Sequence, residues 1–153
     1  MIVERTLDVV TDHFQLLIGD SVQAPLLDTT ALWDSPGRVA SLKGSPELVG
    51  LGTVRYGGKT RVTLRVGDHL DESLRGWSLL GEFFLSVPSG ELILWGPELE
   101  NIHLASKVSV PKDVYQGAAF VRGAELVTDE MSPDGSDEYL VTLQSAGPNF
   151  IPA

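Results

Sequence analysis

The stretch from Glu82 to Arg122 constrains the fold most, because it contains nearly the same pattern twice. In each copy an apolar run of β-forming residues leads into Val-Pro, two turn-forming residues follow, and a second apolar run begins. The two dipeptides are Val87-Pro88 and Val110-Pro111. Proline fixes φ at about −65° at the second position of a turn. We therefore predict a pair of β-hairpins or strand-to-strand corners, in which each dipeptide closes one strand and aims the next back beside it.

The apolar runs on either side of the two turns predict one shared hydrophobic core. Large side chains in such a core are the ones whose truncation destabilises a protein most. The residues expected to line it are Phe84, Leu92, Leu94, Val110 and Phe120.

The segment 49–66 carries the second strong strand signal. Gly57-Gly58 separates two alternating runs, and both central residues of a type I′ turn need positive φ, so this pattern predicts a two-residue hairpin. In its second strand Val62, Leu64 and Val66 share one face, which we expect to be buried.

The remaining segments follow the same short-strand pattern. Alternation from Thr6 to Ile18 breaks near Thr11-Asp12-His13, which predicts two short strands or one kinked strand, and Glu138 to Gln144 reads as a closing strand. Residues 22–48 are irregular, and a loop of this length needs its own anchors in a compact domain. The anchors we expect are Leu26, Leu27, Leu32 and Trp33.

These signals together predict an all-β fold, an antiparallel β-sandwich or flattened barrel of about eight to ten short strands with little helix. A chain of 153 residues is large enough to bury a core without metal or disulfide staples. We expect residues 1–146 to form a single β-sandwich domain and residues 147–153 a loosely ordered C-terminal tail.

Composition narrows the classes of function. The formal net charge is −10, and the one basic cluster, formed by Arg55, Lys59, Arg61 and Arg65, is small, which argues against direct nucleic-acid binding. An acidic chain suits a basic protein partner, although acidity also serves solubility alone. The absence of cysteine, of a visible secretory signal and of any apolar run long enough to span a membrane favours a soluble, cytoplasmic protein.

No catalytic, cofactor-binding or metal-binding motif is present. The three histidines show no metal-ligand spacing, and neighbours such as Asp12 and His13 point to opposite faces if they lie on a strand. The acidic run 134–138 lacks the ligand spacing of a calcium loop, so we interpret it as solvated. We predict neither a catalytic site nor a cofactor.

Five features in order give the chain a likeness to a known family. They are Asp12-His13-Phe14-Gln15 at the end of the opening strand, an irregular loop with Trp33, a sheet hairpin, the later Val110-Pro111-Lys112-Asp113-Val114-Tyr115, and a closing Glu-Tyr-Leu strand. In this order they resemble the competence protein J family of bacterial nuclease inhibitors. The resemblance implies a small bacterial protein that binds and silences a nuclease without catalysis of its own. Lys112-Asp113 stands where such a turn usually has a glycine, and the acidic loop at 128–138 is extended.

Our leading hypothesis is therefore a non-catalytic binding protein of the inhibitor or immunity type, which neutralises a basic nuclease or toxin through an acidic surface. The alternative is a small-ligand or carbohydrate-binding β-sandwich with loop 22–48 and Trp33 or Trp77 at its mouth. The sequence leaves open whether loop 22–48 or the acidic loops form the interface. The candidate partner-binding residues are Trp33, Asp68, Asp71, Glu72, Glu98, Glu100, Asp129, Glu130 and Asp134.

Overall fold

The structure is a computed structural model that describes residues 3–34, 37–68 and 74–146, with backbone alone for residues 99–101. The described part of the chain contains ten β-strands and three short 3-10 segments, Ala24–Leu26, Leu99–Leu104 and Ala124–Leu126. The strands are β1 (Val3–Thr11), β2 (Gln15–Asp20), β3 (Val39–Leu42), β4 (Ser45–Gly52), β5 (Gly58–Gly67), β6 (Ser78–Val87), β7 (Glu91–Trp95), β8 (Ser106–Ser109), β9 (Asp113–Arg122) and β10 (Glu138–Ser145).

The strands form two five-stranded sheets. The first sheet has the order β1-β5-β10-β9-β6, and the second has the order β3-β4-β2-β7-β8. β10 runs parallel to β5, with Tyr139 opposite Val62, while the other strand pairs are antiparallel. The prediction of an all-β sandwich of about eight to ten short strands with little helix is confirmed. The sequence expectation of antiparallel pairing holds for every pair except β5 with β10.

The main core lies between the sheets and is built by alternation along each strand. Val62, Leu64 and Val66 of β5 are buried in it, as the sequence predicts, and the intervening side chains face outward. Leu92, Leu94 and Val110 also belong to this core, which confirms their predicted place.

The two phenylalanines predicted for the core do not lie in it. Phe84 is 40% exposed, and its neighbour Phe83 faces the core in its place. Tyr115 and Ala119 of β9 point into the core, and successive side chains of a strand point to opposite faces. Phe120 is therefore on the outer face of β9, although its side chain is buried there. A shift of one residue in the assignment of β6 exchanges the two faces completely.

The two Val-Pro turns are corners between sheets and not hairpins. β6 lies in the first sheet and β7 in the second, and the chain returns from β8 in the second sheet to β9 in the first. Because β6 pairs with β9 and β7 with β8, the corners lie side by side, and the Val110 amide donates to the Gly90 carbonyl at 2.9 Å. The corner alternative is confirmed, and the expectation that each strand folds back beside its predecessor is wrong.

The Gly57-Gly58 hairpin prediction is also wrong. β4 belongs to the second sheet and β5 to the first, so residues 53–57 cross between sheets. Only the second glycine has positive φ, at +97°. A Cβ on Gly57 would collide with the carbonyl oxygen of Thr11, and one on Gly58 with that of Pro133. The two glycines therefore allow other backbone segments to approach closely, and they do not form a type I′ turn.

The irregular segment between β2 and β3 covers the outer face of the second sheet. Leu32 is buried there against Leu17, Ile93 and the buried Trp95, with Leu27 and Trp33 packed at the margin. This second cluster anchors the long loop as predicted. Leu26 is the exception, because it is 79% exposed.

Candidate functional site

Four segments meet at one end of the sandwich, which we call the loop end. They are the β1–β2 turn at Asp12–Phe14, the crossover 53–57, Glu98, and the loop 123–137. The Phe14 amide donates to the Tyr56 carbonyl at 2.8 Å, and the Tyr56 amide donates to the Glu130 carbonyl at 2.6 Å. These bonds tie the turn, the crossover and the acidic loop into one surface. The predicted break near Thr11–His13 is confirmed as the passage from β1 in one sheet to β2 in the other.

An acid–histidine–acid arrangement occupies the turn. His13 Nδ1 lies 2.8 Å from Oδ1 of the buried Asp12, and His13 Nε2 lies 3.6 Å from Oε1 of Glu98. The Asp12 carboxylate also accepts the Glu98 amide at 3.2 Å. Asp12 and His13 lie in a turn and not on a strand, so the expectation that their side chains diverge is wrong.

The environment of His13 favours its protonated form. The hydrogen bond to Asp12 raises the pKa of His13 most, the negative charges of Asp12 and Glu98 raise it further, and partial burial opposes them. The imidazole is 46% exposed, so it exchanges protons with solvent directly.

Two aromatic rings stand beside this group on a strained backbone. His13 and Phe14 have φ of +53° and +59°, and the left-handed region costs non-glycine residues about 1–2 kcal/mol each. The Phe14 and Tyr56 rings pack edge to face with centroids 5.5 Å apart, and the His13 ring lies 5.2 Å from Tyr56. Phe14 is 36% exposed.

A buried ion pair fixes the acidic loop to the crossover. Arg55 Nε donates to Oδ1 of Asp137 at 2.5 Å, and Oδ2 of Asp137 accepts the Tyr139 hydroxyl at 2.8 Å. The remaining guanidinium nitrogens donate to the carbonyls of Gly57, Ser132 and Lys59. Burial raises the pKa of Tyr139. Arg55 is therefore a buried structural group and does not belong to an exposed basic cluster. Because Asp137 is buried, the expectation that the whole run 134–138 is solvated is wrong.

The loop end gathers several of the predicted partner-binding residues. Glu98 lies beside His13, and Asp129, Glu130 and Asp134 are exposed on the loop. A cavity of about 160 Å³ on this loop is lined by Leu126 and Val127 together with the carboxylates of Asp129 and Asp134.

The other predicted residues lie elsewhere or outside the description. Asp68 is exposed where β5 ends, at the opposite end of the sandwich. Trp33 is half-buried over the second sheet, and its indole Nε1 is buried without a hydrogen-bond partner among the described residues. Glu100 lies in the 3-10 segment Leu99–Leu104, but its side chain is outside the description, as are Asp71, Glu72 and the tail 147–153.

The cavities and the position of Trp77 do not support the alternative hypothesis of a small-ligand or carbohydrate site. The 530 Å³ cavity is lined by charged residues such as Asp8, Lys59 and Arg61, and the 270 Å³ cavity lies on the outer face of the first sheet. Neither cavity is lined by a tryptophan, and the Trp77 ring is covered by the Arg122 guanidinium at 4.2 Å.

Within residues 3–34, 37–68 and 74–146, no group of three or more acidic or histidine side chains is placed to hold a metal ion. In the same ranges no helix has the length and apolarity to cross a bilayer.

The fold defines the chain as a small two-sheet β-sandwich, and its loop end carries the exposed side chains of Asp129, Glu130 and Asp134 and the rings of Phe14 and Tyr56. Its architecture matches that of ComJ from Bacillus subtilis, described as the inhibitor of the DNA-degrading activity of NucA. The TM-score is 0.63 at 14% sequence identity, over 95% of this chain and 99% of ComJ. The chain therefore has a ComJ-like fold, which confirms the resemblance to the competence protein J family at the level of architecture.

A second solved structure, described as crocagin biosynthetic gene J, matches with a TM-score of 0.57 at 18% identity, over 96% of this chain and 98% of that one. No protein-family model and no curated protein sequence matches the chain. The likeness thus lies in the fold and is nearly invisible in the sequence.

The sequence did not single out Phe14 and Tyr56 as site residues, nor Arg55 and Asp137 as a pair. Arg55 and Asp137 are 82 positions apart, and alternation within a strand carries no signal for such a contact. The one local signal was the broken alternation at 11–13, which located the turn but not its backbone conformation.

Proposed function

We propose that this protein is a non-catalytic inhibitor or immunity-type protein that binds a nuclease and blocks its access to DNA through the loop end. The observation that carries the proposal is the correspondence of the fold, over almost the whole chain, with a protein described as a nuclease inhibitor.

Electrostatics suits such a partner. A nuclease that holds DNA must present a cationic cleft to phosphates. The loop end carries exposed carboxylates at Glu98, Asp129, Glu130 and Asp134 on a chain of net charge −10. Opposite charge on the two surfaces accelerates association, and salt weakens the attraction because the Debye length is about 8 Å at physiological ionic strength.

The acidic loop is also held in place before a partner arrives. The Arg55–Asp137 pair and the Tyr56–Glu130 backbone bond fix residues 130–137 to the crossover. A surface that is already ordered loses less conformational entropy on binding, so more of the contact energy appears as affinity.

The test is affinity capture from the native host with the purified full-length chain, followed by a DNA-cleavage assay on the captured protein. We expect a nuclease whose cleavage falls when the chain is added back and whose association slows as salt rises. The variant Asp129→Asn/Glu130→Gln/Asp134→Asn should lower its association rate constant about tenfold.

The matched control removes three charges away from the loop end, in Asp28→Asn/Glu47→Gln/Glu82→Gln. This control should bind as the wild type does at the same salt concentration. Capture of proteins whose DNA cleavage does not respond to the chain would contradict the proposal.

A further inference from the structure

The turn at His13 and Phe14 has a strained backbone. Two consecutive non-glycine residues have positive φ, and they stay so because surrounding bonds hold them. The Phe14 amide donates to the Tyr56 carbonyl, and its carbonyl accepts the Thr53 amide, each at 2.8 Å. Strain that is over-determined by its surroundings concentrates at functional sites. The Phe14 ring at this turn is 36% exposed and packs edge to face on Tyr56.

The groups around this turn match one side-chain chemistry. The His13 ring lies 5.2 Å from the Tyr56 ring, and its Nε2 lies 3.6 Å from the carboxylate of Glu98, so an aromatic ring and a negative charge are both close to it. A guanidinium group stacks on aromatic rings while it donates to a carboxylate in the same plane. We propose that Phe14, Tyr56 and Glu98 form the docking site for an arginine side chain presented by a protein partner.

Charge complementarity selects this occupant over an apolar one. Glu98 is 43% exposed, and the nearby Asp129 and Glu130 add negative charge to the same end of the sandwich. An arginine there would also shield the exposed face of Phe14 from water. The identity of the partner rests on the proposed function, but the docking chemistry does not.

His13 adds a pH dependence to the site. The charged groups that face it among the described residues are Asp12 on its own turn and Glu98 at the start of the 3-10 segment, and the Tyr56 ring packs against it from the crossover. Arg55, in the same crossover, points inward to Asp137. Protonated His13 pairs with Glu98 and repels a second cation, so arginine should bind more tightly as the pH rises and His13 loses its charge.

The probe is the peptide Ac-Gly-Arg-Gly-NH2, titrated into the isotope-labelled full-length chain at high millimolar concentration and followed by NMR. We expect saturable shifts centred on residues 13, 14, 56 and 98, with tighter binding at pH 8 than at pH 6. The isosteric citrulline peptide should bind more weakly. Phe14→Leu should weaken arginine binding about two- to fivefold, the usual strength of an exposed cation–π contact.

Glu98→Gln should weaken binding as well and provides the test if Phe14→Leu does not fold. Leu26→Ala, a change on the exposed loop over the second sheet, is the control that should leave the titration unchanged. Equal binding of the citrulline, lysine or Ac-Gly-Leu-Gly-NH2 peptide would overturn the arginine site, as would shifts confined to residues 129–134. Arginine binding at the turn without inhibition of any nuclease would refute the proposed function and leave the docking site intact.

Discussion

Arg55 and Asp137, 82 residues apart in the sequence, form an ion pair with Nε and Oδ1 at 2.5 Å that is buried between the crossover and the acidic loop. Each partner has further hydrogen bonds, since Asp137 accepts the Tyr139 hydroxyl and Arg55 donates to three backbone carbonyls. The ion pair therefore fixes the acidic loop to the crossover at the loop end of the sandwich.

Removal of one partner should be costly, because it leaves the other charge buried and unpaired. We expect Asp137→Ala to lower the free energy of unfolding by about 3–5 kcal/mol. Asp134→Ala, on the exposed part of the same loop, should change it by about 0.5 kcal/mol or less. Urea melts of the two variants measure both values, and a similar small loss in each would mean that the pair does not anchor the loop.

The ion pair also predicts that substitutions of its two residues have non-additive effects on the free energy of unfolding. The double variant Arg55→Met/Asp137→Leu removes both charges together, so it should lose less stability than the sum of the losses in Arg55→Met and in Asp137→Leu. Urea melts of these three variants and the wild type complete a double-mutant cycle and give the coupling energy. Simple additivity would show that the two groups act independently.

The burial of β6 and β7 predicts unequal effects of truncation. Leu92 is fully buried between the sheets, so Leu92→Ala should cost about 2–5 kcal/mol. Phe84 is 40% exposed on the outer face, so Phe84→Ala should cost less than Phe83→Ala, whose ring packs in the core. Denaturant midpoints of the three variants test the face assignment, and a larger loss at Phe84 than at Phe83 would reverse it.

The pKa of His13 predicts a pH-dependent contribution to stability. Because its folded-state pKa is raised above the ordinary value of about 6.5, the contribution is fully present below that value and is lost as the pH rises through the folded-state pKa. The hydrogen bond to Asp12 is the largest cause, so Asp12→Asn should lower the pKa of His13 more than Glu98→Gln does. NMR titration of the imidazole decides this, and equal pKa values in the wild type and Asp12→Asn would refute the assigned cause.

The fold class could be predicted from the sequence because alternation and turn residues are local signals. Val62, Leu64 and Val66 reveal a half-buried strand without any knowledge of its neighbours. Sheet membership is not local, and this explains the errors at Gly57-Gly58 and at the Val-Pro turns. A glycine pair that permits a hairpin also permits the close approach of Thr11 and Pro133, and the sequence does not distinguish the two.

Of the candidate site, only the exposed charged residues could be predicted from the sequence. Acidic residues at 98, 129, 130 and 134 stand out in the sequence, whereas their meeting with Phe14 and Tyr56 depends on contacts between distant segments. The role of Trp33 as a partner-binding residue stays a prediction, and its packing over the second sheet also gives it a structural reason to be there.

The most direct test of the central claim is the cleavage of a defined DNA duplex by the captured nuclease, titrated with the purified chain at physiological salt. The account predicts that cleavage falls to zero near an equimolar ratio, and that the variant Asp129→Asn/Glu130→Gln/Asp134→Asn requires a clear excess, while Asp28→Asn/Glu47→Gln/Glu82→Gln matches the wild type. Cleavage that persists at a large excess of the wild-type chain, or inhibition that the loop-end variant retains in full, would contradict it.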